Sequence, residues 1–164
     1  MSAPDHAGSF WQRRIRAPLL ALLSQGLTPD RLALTLGVGT ACSLFPFLGF
    51  TSLLNLAAGW WLRLNQPLLQ TWNQVLGPAQ LALILGYVRL GEWIWGVRGE
   101  RFAVGEMLAA FRERSLADFL ARFGWAGIHA FTAWAVTTPV LVRIVYRLSR
   151  PALHRLASKR AAQP

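Results

Sequence analysis

Arg89 and Glu92 stand three residues apart in an otherwise apolar stretch of this 164-residue chain, a spacing that sets two side chains next to each other on a helix surface. Charges are costly inside a bilayer, so the two should pair, face protein or sit near the interface, where Trp93 and Trp95 would stand. They read first as a snorkelling or structural pair and second as a site for an anionic headgroup or phosphate. Just upstream, Asn65, Gln66, Gln70, Asn73, Gln74 and Gln80 fall in a run, residues 64–88, that carries no charge. Gln66, Asn73 and Gln80 recur every seven residues, so on a continuous helix they share one face, with Gln70 and Gln74 near it. Amides so placed can line a polar cavity, or they can hydrogen-bond from helix to helix and do nothing else. Both readings stand at this point. Asn55, with Thr40, Ser43, Thr51 and Ser52, adds polar groups that could line the same cavity, although hydroxyls of this kind mostly satisfy nearby carbonyls. The chemistry consistent with the set Arg89, Glu92, Asn73, Gln80, Gln70, Gln66 and Asn55 is recognition of an anionic group.

Catalysis has little to draw on. Of seven acidic residues, Glu92 alone falls where an apolar helix would place it inside a membrane, so no carboxylate pair is present there for acid–base work. No nucleophile elbow, nucleotide-binding glycine motif or zinc-protease signature occurs. Cys42 is the single cysteine, which rules out an internal disulfide and a thiolate cluster. His6, His129 and His154 lack ligand spacing, and His129 suits a structural role better than a proton relay. No metal, cofactor or enzymatic activity is expected.

The composition points to a membrane as the setting. Hydrophobic residues make up 54% of the chain and charged residues 15%, against about 25% charged in an average soluble domain. The net charge is +10, and the arginines flank apolar runs instead of interleaving with a polar helix face: Arg13, Arg14, Arg16 and Arg31 on one side, and Arg143, Arg147, Arg150 and Arg155 on the other. That is the pattern of basic flanks lying against anionic headgroups, not of a nucleic-acid stripe.

Residues 32–62 carry no charged side chain. As one helix they would measure about 46 Å, beyond the ~30 Å of a hydrocarbon core. Pro46 and Gly49 divide the run into two arms, about 29–44 and 50–62, joined by a turn. The resulting hairpin is either re-entrant or made of two short tilted helices. Thr28, Pro29 and Asp30 give its first arm a well-specified start: cap, first-turn proline, and a negative charge at the positive end of the helix dipole. Gly37, Gly39 and Ala41 offer close packing by small residues. Pro78, beside Gly77, predicts a second broken element, a short piece over 67–76 followed by a helix over 78–95. Upstream, residues 9–25 pattern as an interfacial amphipathic helix ended by Gly26. Residues 103–123 pattern as an amphipathic surface helix, 123–142 as a simple span, and a basic tail starts at Pro151.

These residues resemble an uncharacterised bacterial membrane-protein family, DUF2062. The matching pieces are Gly26-Leu27-Thr28-Pro29, Ala33-Leu34 with Gly37, Pro46-Phe47-Leu48-Gly49-Phe50-Thr51, Arg63-Leu64-Asn65-Gln66-Pro67, Asn73 with Pro78, and Gly91 after Arg89. The separation of Asn73 from Pro78 departs from relatives in which Asn and Pro are adjacent. The resemblance implies a location in the bacterial cytoplasmic (inner) membrane, and relatives fused to glycosyltransferase-like domains imply work near lipid-linked sugars.

The expectation is an all-α, polytopic, multi-pass membrane protein with a Pro-broken hairpin whose turn residues are Pro46, Gly49 and Pro78. Residues 1–25 form a tail and interfacial helix, 26–142 the membrane domain and 143–164 a basic cytoplasmic tail. Its expected partner is a lipid bilayer with anionic headgroups, with binding or translocation of an amphipathic anion such as a lipid phosphate as the activity. The rival is a non-catalytic assembly or anchoring subunit for an envelope-glycan enzyme. Nucleic acid is not an expected partner, and the oligomeric state is left open.

Overall fold

The computed structural model describes residues 27–97 and 116–161, with side chains for 27–97 and 124–158. The interfacial helix expected over 9–25, its Gly26 cap and most of the surface helix expected over 103–123 lie outside them. The described residues form four helices and no strand: α1 (Pro29–Ser43), α2 (Thr51–Trp61), α3 (Gln66–Ile94) and α4 (Leu116–Ala161). The fold is all-α.

Helix α1 begins as its residues dictate. Thr28 Oγ1 accepts from the Arg31 amide at 3.3 Å, Pro29 opens the first turn and Asp30 sits within it. The turn after α1 contains the buried Pro46 and a left-handed Gly49 (φ 86°), after which α2 starts. Two helix ends close on the same device. The Leu64 amide reaches the Gly59 carbonyl and the Arg63 amide reaches Trp60, while Val97 reaches Glu92 and Gly96 reaches Trp93. Both are Schellman caps, with the left-handed position filled by Gly96 (φ 67°) in one and, unusually, by Arg63 (φ 52°) in the other. Asn65 caps α3 by accepting from the Leu68 amide at 2.9 Å.

Pro78 lies inside α3, and no turn occurs there. The second broken element expected from Gly77-Pro78 is one unbroken helix. Proline removes one backbone donor and usually pushes the preceding residue out of the helical region through its Cβ, but Gly77 has no Cβ to clash. The segments on either side are also pinned to the same wall. Asn73 reaches Ser52 and Gln80 reaches the Phe45 carbonyl, so tertiary contacts hold the helical path across the lost bond.

Helix α4 likewise runs through Pro139 and Pro151. No boundary falls at residue 123, and the basic tail expected from 143 onward is a helical extension. Leu153 is buried with Leu32, Ala33, Leu36 and Leu68, and Asp30 on α1 takes Arg150 and His154, one on each side of Pro151. Burial of a leucine, worth roughly 1.5–3 kcal/mol, together with this double contact outweighs one missing backbone bond.

The helices alternate in direction. Gly37 of α1 meets Val142 of α4, Trp134 Nε1 donates to the Ala41 carbonyl at 2.8 Å, and Phe47 meets Gly127, so α1 and α4 run antiparallel along their whole contact. Gly91 of α3 meets His129 of α4, and α2 packs antiparallel between α1 and α3. Two clusters form the core. One gathers Leu32, Leu36, Leu68 and Leu153; the other gathers Leu44, Tyr87, Val88 and the alanines Ala126, Ala130 and Ala133. The small residues do the work expected of Gly37 and Gly39, whose Cα positions abut Val142 and Leu69.

Candidate functional site

The amides of α3 face the hairpin, and nearly every one donates into it. Gln66 Nε2 donates to the Leu56 carbonyl at 2.8 Å, Gln70 Nε2 to the Ser52 carbonyl at 3.2 Å, Asn73 Nδ2 to Ser52 Oγ at 3.1 Å, and Gln80 Nε2 to the Phe45 carbonyl at 2.9 Å. Asn55, fully buried on α2, donates through Nδ2 to Ser43 Oγ at 3.2 Å and to the Thr51 carbonyl at 2.9 Å. Trp72 Nε1 adds a 2.8 Å bond to Thr40 Oγ1. Of the two readings left open, helix-to-helix bonding is what these residues do. Gln74 is exposed, and Asn65 serves as a cap. Asn55 Oδ1, Gln66 Oε1 and His129 Nδ1 are the buried side-chain polar atoms without a partner among the described groups.

Gln80, at the middle of α3 (Gln66–Ile94), meets the turn after α1. The turn also reaches α4 further on, where Phe47 meets Gly127, two residues from the His129 that packs on Gly91 of α3. There α3 packs on α4 through Tyr87, Val88 and Gly91, and Leu44 at the end of α1 belongs to the same cluster. The hairpin base is held by Arg31, whose Nη1 donates to the Leu62 and Arg63 carbonyls at 3.5 and 3.4 Å.

Arg89 and Glu92 form the ion pair expected of them, with Arg89 Nη1 2.9 Å from Glu92 Oε2. They do not join the amides. Arg89 lies nine residues past Gln80, about 13 Å along the axis, so the ion pair and the amides are not adjacent. His129 is buried where α3 and α4 cross, with the rings of Trp95 and Trp125 centred 5.7 and 6.4 Å away.

A basic groove that sequence reasoning passed over lies on α4. Arg143, Tyr146, Arg147, Arg150, Pro151 and His154 line an open cavity of about 700 Å³. Asp30 Oδ1 is 2.6 Å from Arg150 Nε and 3.2 Å from His154 Nε2. The hydrogen bond from Arg150, then that from His154, holds the Asp30 carboxyl below its usual range. The spacing 143, 147, 150, 154 was visible as one helical stripe, but an assumed tail beginning at 143 hid it.

The surface of the described residues is strongly apolar. Phe50, Leu53 and Leu56 of α2, Leu81 and Leu83 of α3, and Phe131, Val136, Val140 and Ile144 of α4 are all exposed. Trp60 (81% exposed) and Trp61 stand at the hairpin base, and Trp93 (79%), Trp95 and Trp125 stand at the opposite end. Within α4, Gly124–Ser158 is the stretch among the described residues that is long and apolar enough to cross a membrane.

No curated protein and no solved structure matches the chain. A family model described as an uncharacterised protein conserved in bacteria does match, over residues 12–162, nearly the whole chain. The protein belongs to the DUF2062 family.

Proposed function

We propose that this protein is embedded in the bacterial cytoplasmic membrane as a multi-pass helical bundle that includes the α1–α2 hairpin, and that it binds an amphipathic anionic molecule such as a lipid phosphate. The observation that carries the membrane part is the band of exposed large apolar side chains bounded at both ends by exposed tryptophans. Soluble monomers rarely expose apolar patches beyond a few hundred Å², and tryptophan favours the lipid–water boundary. The distance between the two tryptophan levels, about 42 Å along α3, matches a bilayer with its headgroup layers, ~40–45 Å. Helix α3 escapes a simple hydropathy reading because its amides face protein, where each finds an acceptor.

Support for an anionic ligand comes from the arginines beside the apolar part of α4. Binding is favoured over translocation, because the amide face that would line a pathway is filled by the hairpin. The test is alkaline carbonate extraction of membranes followed by ligand binding to the purified protein in phosphatidylcholine nanodiscs. Retention in the membrane pellet and binding of a short-chain phosphatidate, but not of the matching diacylglycerol, are expected. Release by carbonate contradicts the first part, and equal binding of the neutral lipid contradicts the second.

The outer face of α2 favours a second reading. Phe50, Leu53, Leu56 and Trp60 lie exposed at helical spacing, a surface suited to packing against another membrane helix. An assembly or anchoring subunit for an envelope-glycan enzyme would use it. Loss of co-purification with such an enzyme on Leu53→Ala and Leu56→Ala, with lipid binding retained, is the result that selects this reading.

A further inference from the structure

Past the apolar part of α4, Arg143, Arg147, Arg150 and His154 follow one another at intervals of four, three and four residues, so they project from one stripe of the helix. Together with Tyr146 and Pro151 they line the 700 Å³ groove, a volume in the range of small-molecule sites. Two acidic residues occur among the described side chains, Asp30 and Glu92. Glu92 is paired with Arg89, and Asp30 gives a single oxygen to both Arg150 and His154. Arg143 and Arg147 face the same groove with no carboxylate against them among the described residues. The groove thus gathers four basic side chains around one internal acid.

We propose that this groove binds a phosphate group, and that Asp30 occupies its outer half as an internal stand-in for that anion. Arginine suits the task because its donors match phosphate oxygens in pairs. Depth points to the source of the phosphate. Asp30, next to Arg31 at the hairpin base near Trp60 and Trp61, bonds Arg150 and His154, so these two stand at the tryptophan level, where lipid phosphates lie. Arg147 and Arg143 lie about 5 and 10 Å further along the axis toward the apolar run, and their long side chains extend back to the same layer. Tyr146 between them has the apolar body and polar tip that suit this boundary. The lipid source rests on the membrane reading above; the phosphate chemistry of the groove does not.

The test titrates the full-length protein in phosphatidylcholine nanodiscs with short-chain phosphatidate, inorganic phosphate and short-chain diacylglycerol, using calorimetry. Phosphatidate is expected to bind and diacylglycerol not. Arg143→Gln combined with Arg147→Gln should weaken phosphatidate binding about tenfold or more, the loss of charge-assisted bonds. Asp30→Asn should tighten it several-fold by removing the internal competitor, and Arg155→Gln should leave it unchanged. Gel filtration and helical circular dichroism confirm that each variant is folded. Wild-type binding that survives the double arginine change overturns the groove while leaving the membrane-ligand reading intact. Absence of any anionic-lipid or phosphate binding by the wild type overturns both. Inorganic phosphate binding as tightly as phosphatidate supports the groove and overturns the lipid as its source. Weaker binding by Asp30→Asn overturns the stand-in role.

Discussion

The crossing of α3 and α4 at Gly91 is the tightest contact between helices, and it makes a graded prediction. A Cβ added at Gly91 would fall on the backbone of His129, at its carbonyl, which cannot swing aside as a side chain can. The two helices would have to separate, opening the packing of Tyr87, Val88, Ala126, Ala130 and Ala133 on both sides of the crossing. Overpacking of this kind costs about 1–3 kcal/mol, occasionally more, and the better helix propensity of alanine returns at most about 1. A net loss of about 2 kcal/mol is expected, close to a thirtyfold shift in the folded ratio. Gly37→Ala should cost less than Gly91→Ala but still destabilise, since its Cβ would meet the Val142 backbone carbonyl at 2.9 Å and the α1–α4 pair must shift to admit it. Gly86→Ala has nothing within 4 Å and should be neutral or stabilising by about 0.5–1 kcal/mol. The assay is unfolding in mixed micelles of rising dodecyl sulfate content, read by tryptophan fluorescence. If Gly91→Ala proves as stable as Gly86→Ala, the α3–α4 crossing is not where the structure places it.

Three further outcomes follow from single residues. Gln80→Leu leaves the Phe45 carbonyl without its 2.9 Å donor, so stability should fall by about 1–2 kcal/mol in the same unfolding series. Arg63→Gly places glycine in the left-handed position that closes α2 and should stabilise by up to about 1 kcal/mol, provided the Arg31 contact to that carbonyl is kept. The Asp30 carboxyl is held below its ordinary 3.8 by Arg150 and His154. Its contribution is therefore present above that ordinary value and is lost as pH falls through the lower folded value. An acid titration of stability should show this limb below about pH 4 in the wild type and a shallower one in Asp30→Asn.

Much of the hairpin was legible because its signals are local. Thr28, Pro29 and Asp30 specify a helix start within three positions, and Pro46 with Gly49 specifies a turn within four. The amide period was legible too, since seven-residue spacing survives any packing arrangement. What the amides bond to was not, because their acceptors are backbone carbonyls, which every residue carries. Pro78 and Pro151 were misread for one physical reason. Local propensity ends a helix at proline, whereas contacts from distant parts of the chain held both helices together. Leu153 lay among arginines and gave no sign that Leu32 and Leu36 would cover it. The basic groove was hidden by the same error, since a helix face exists only if the helix does.

The proposal that α3 crosses the bilayer between its two tryptophan levels is tested most directly by single cysteines in a Cys42→Ala background, labelled in intact membranes with an impermeant maleimide added to one side at a time. Trp61→Cys, at the hairpin base, should label from one side and Val97→Cys, past the end of α3, from the other. Labelling of both from the same side would contradict the crossing.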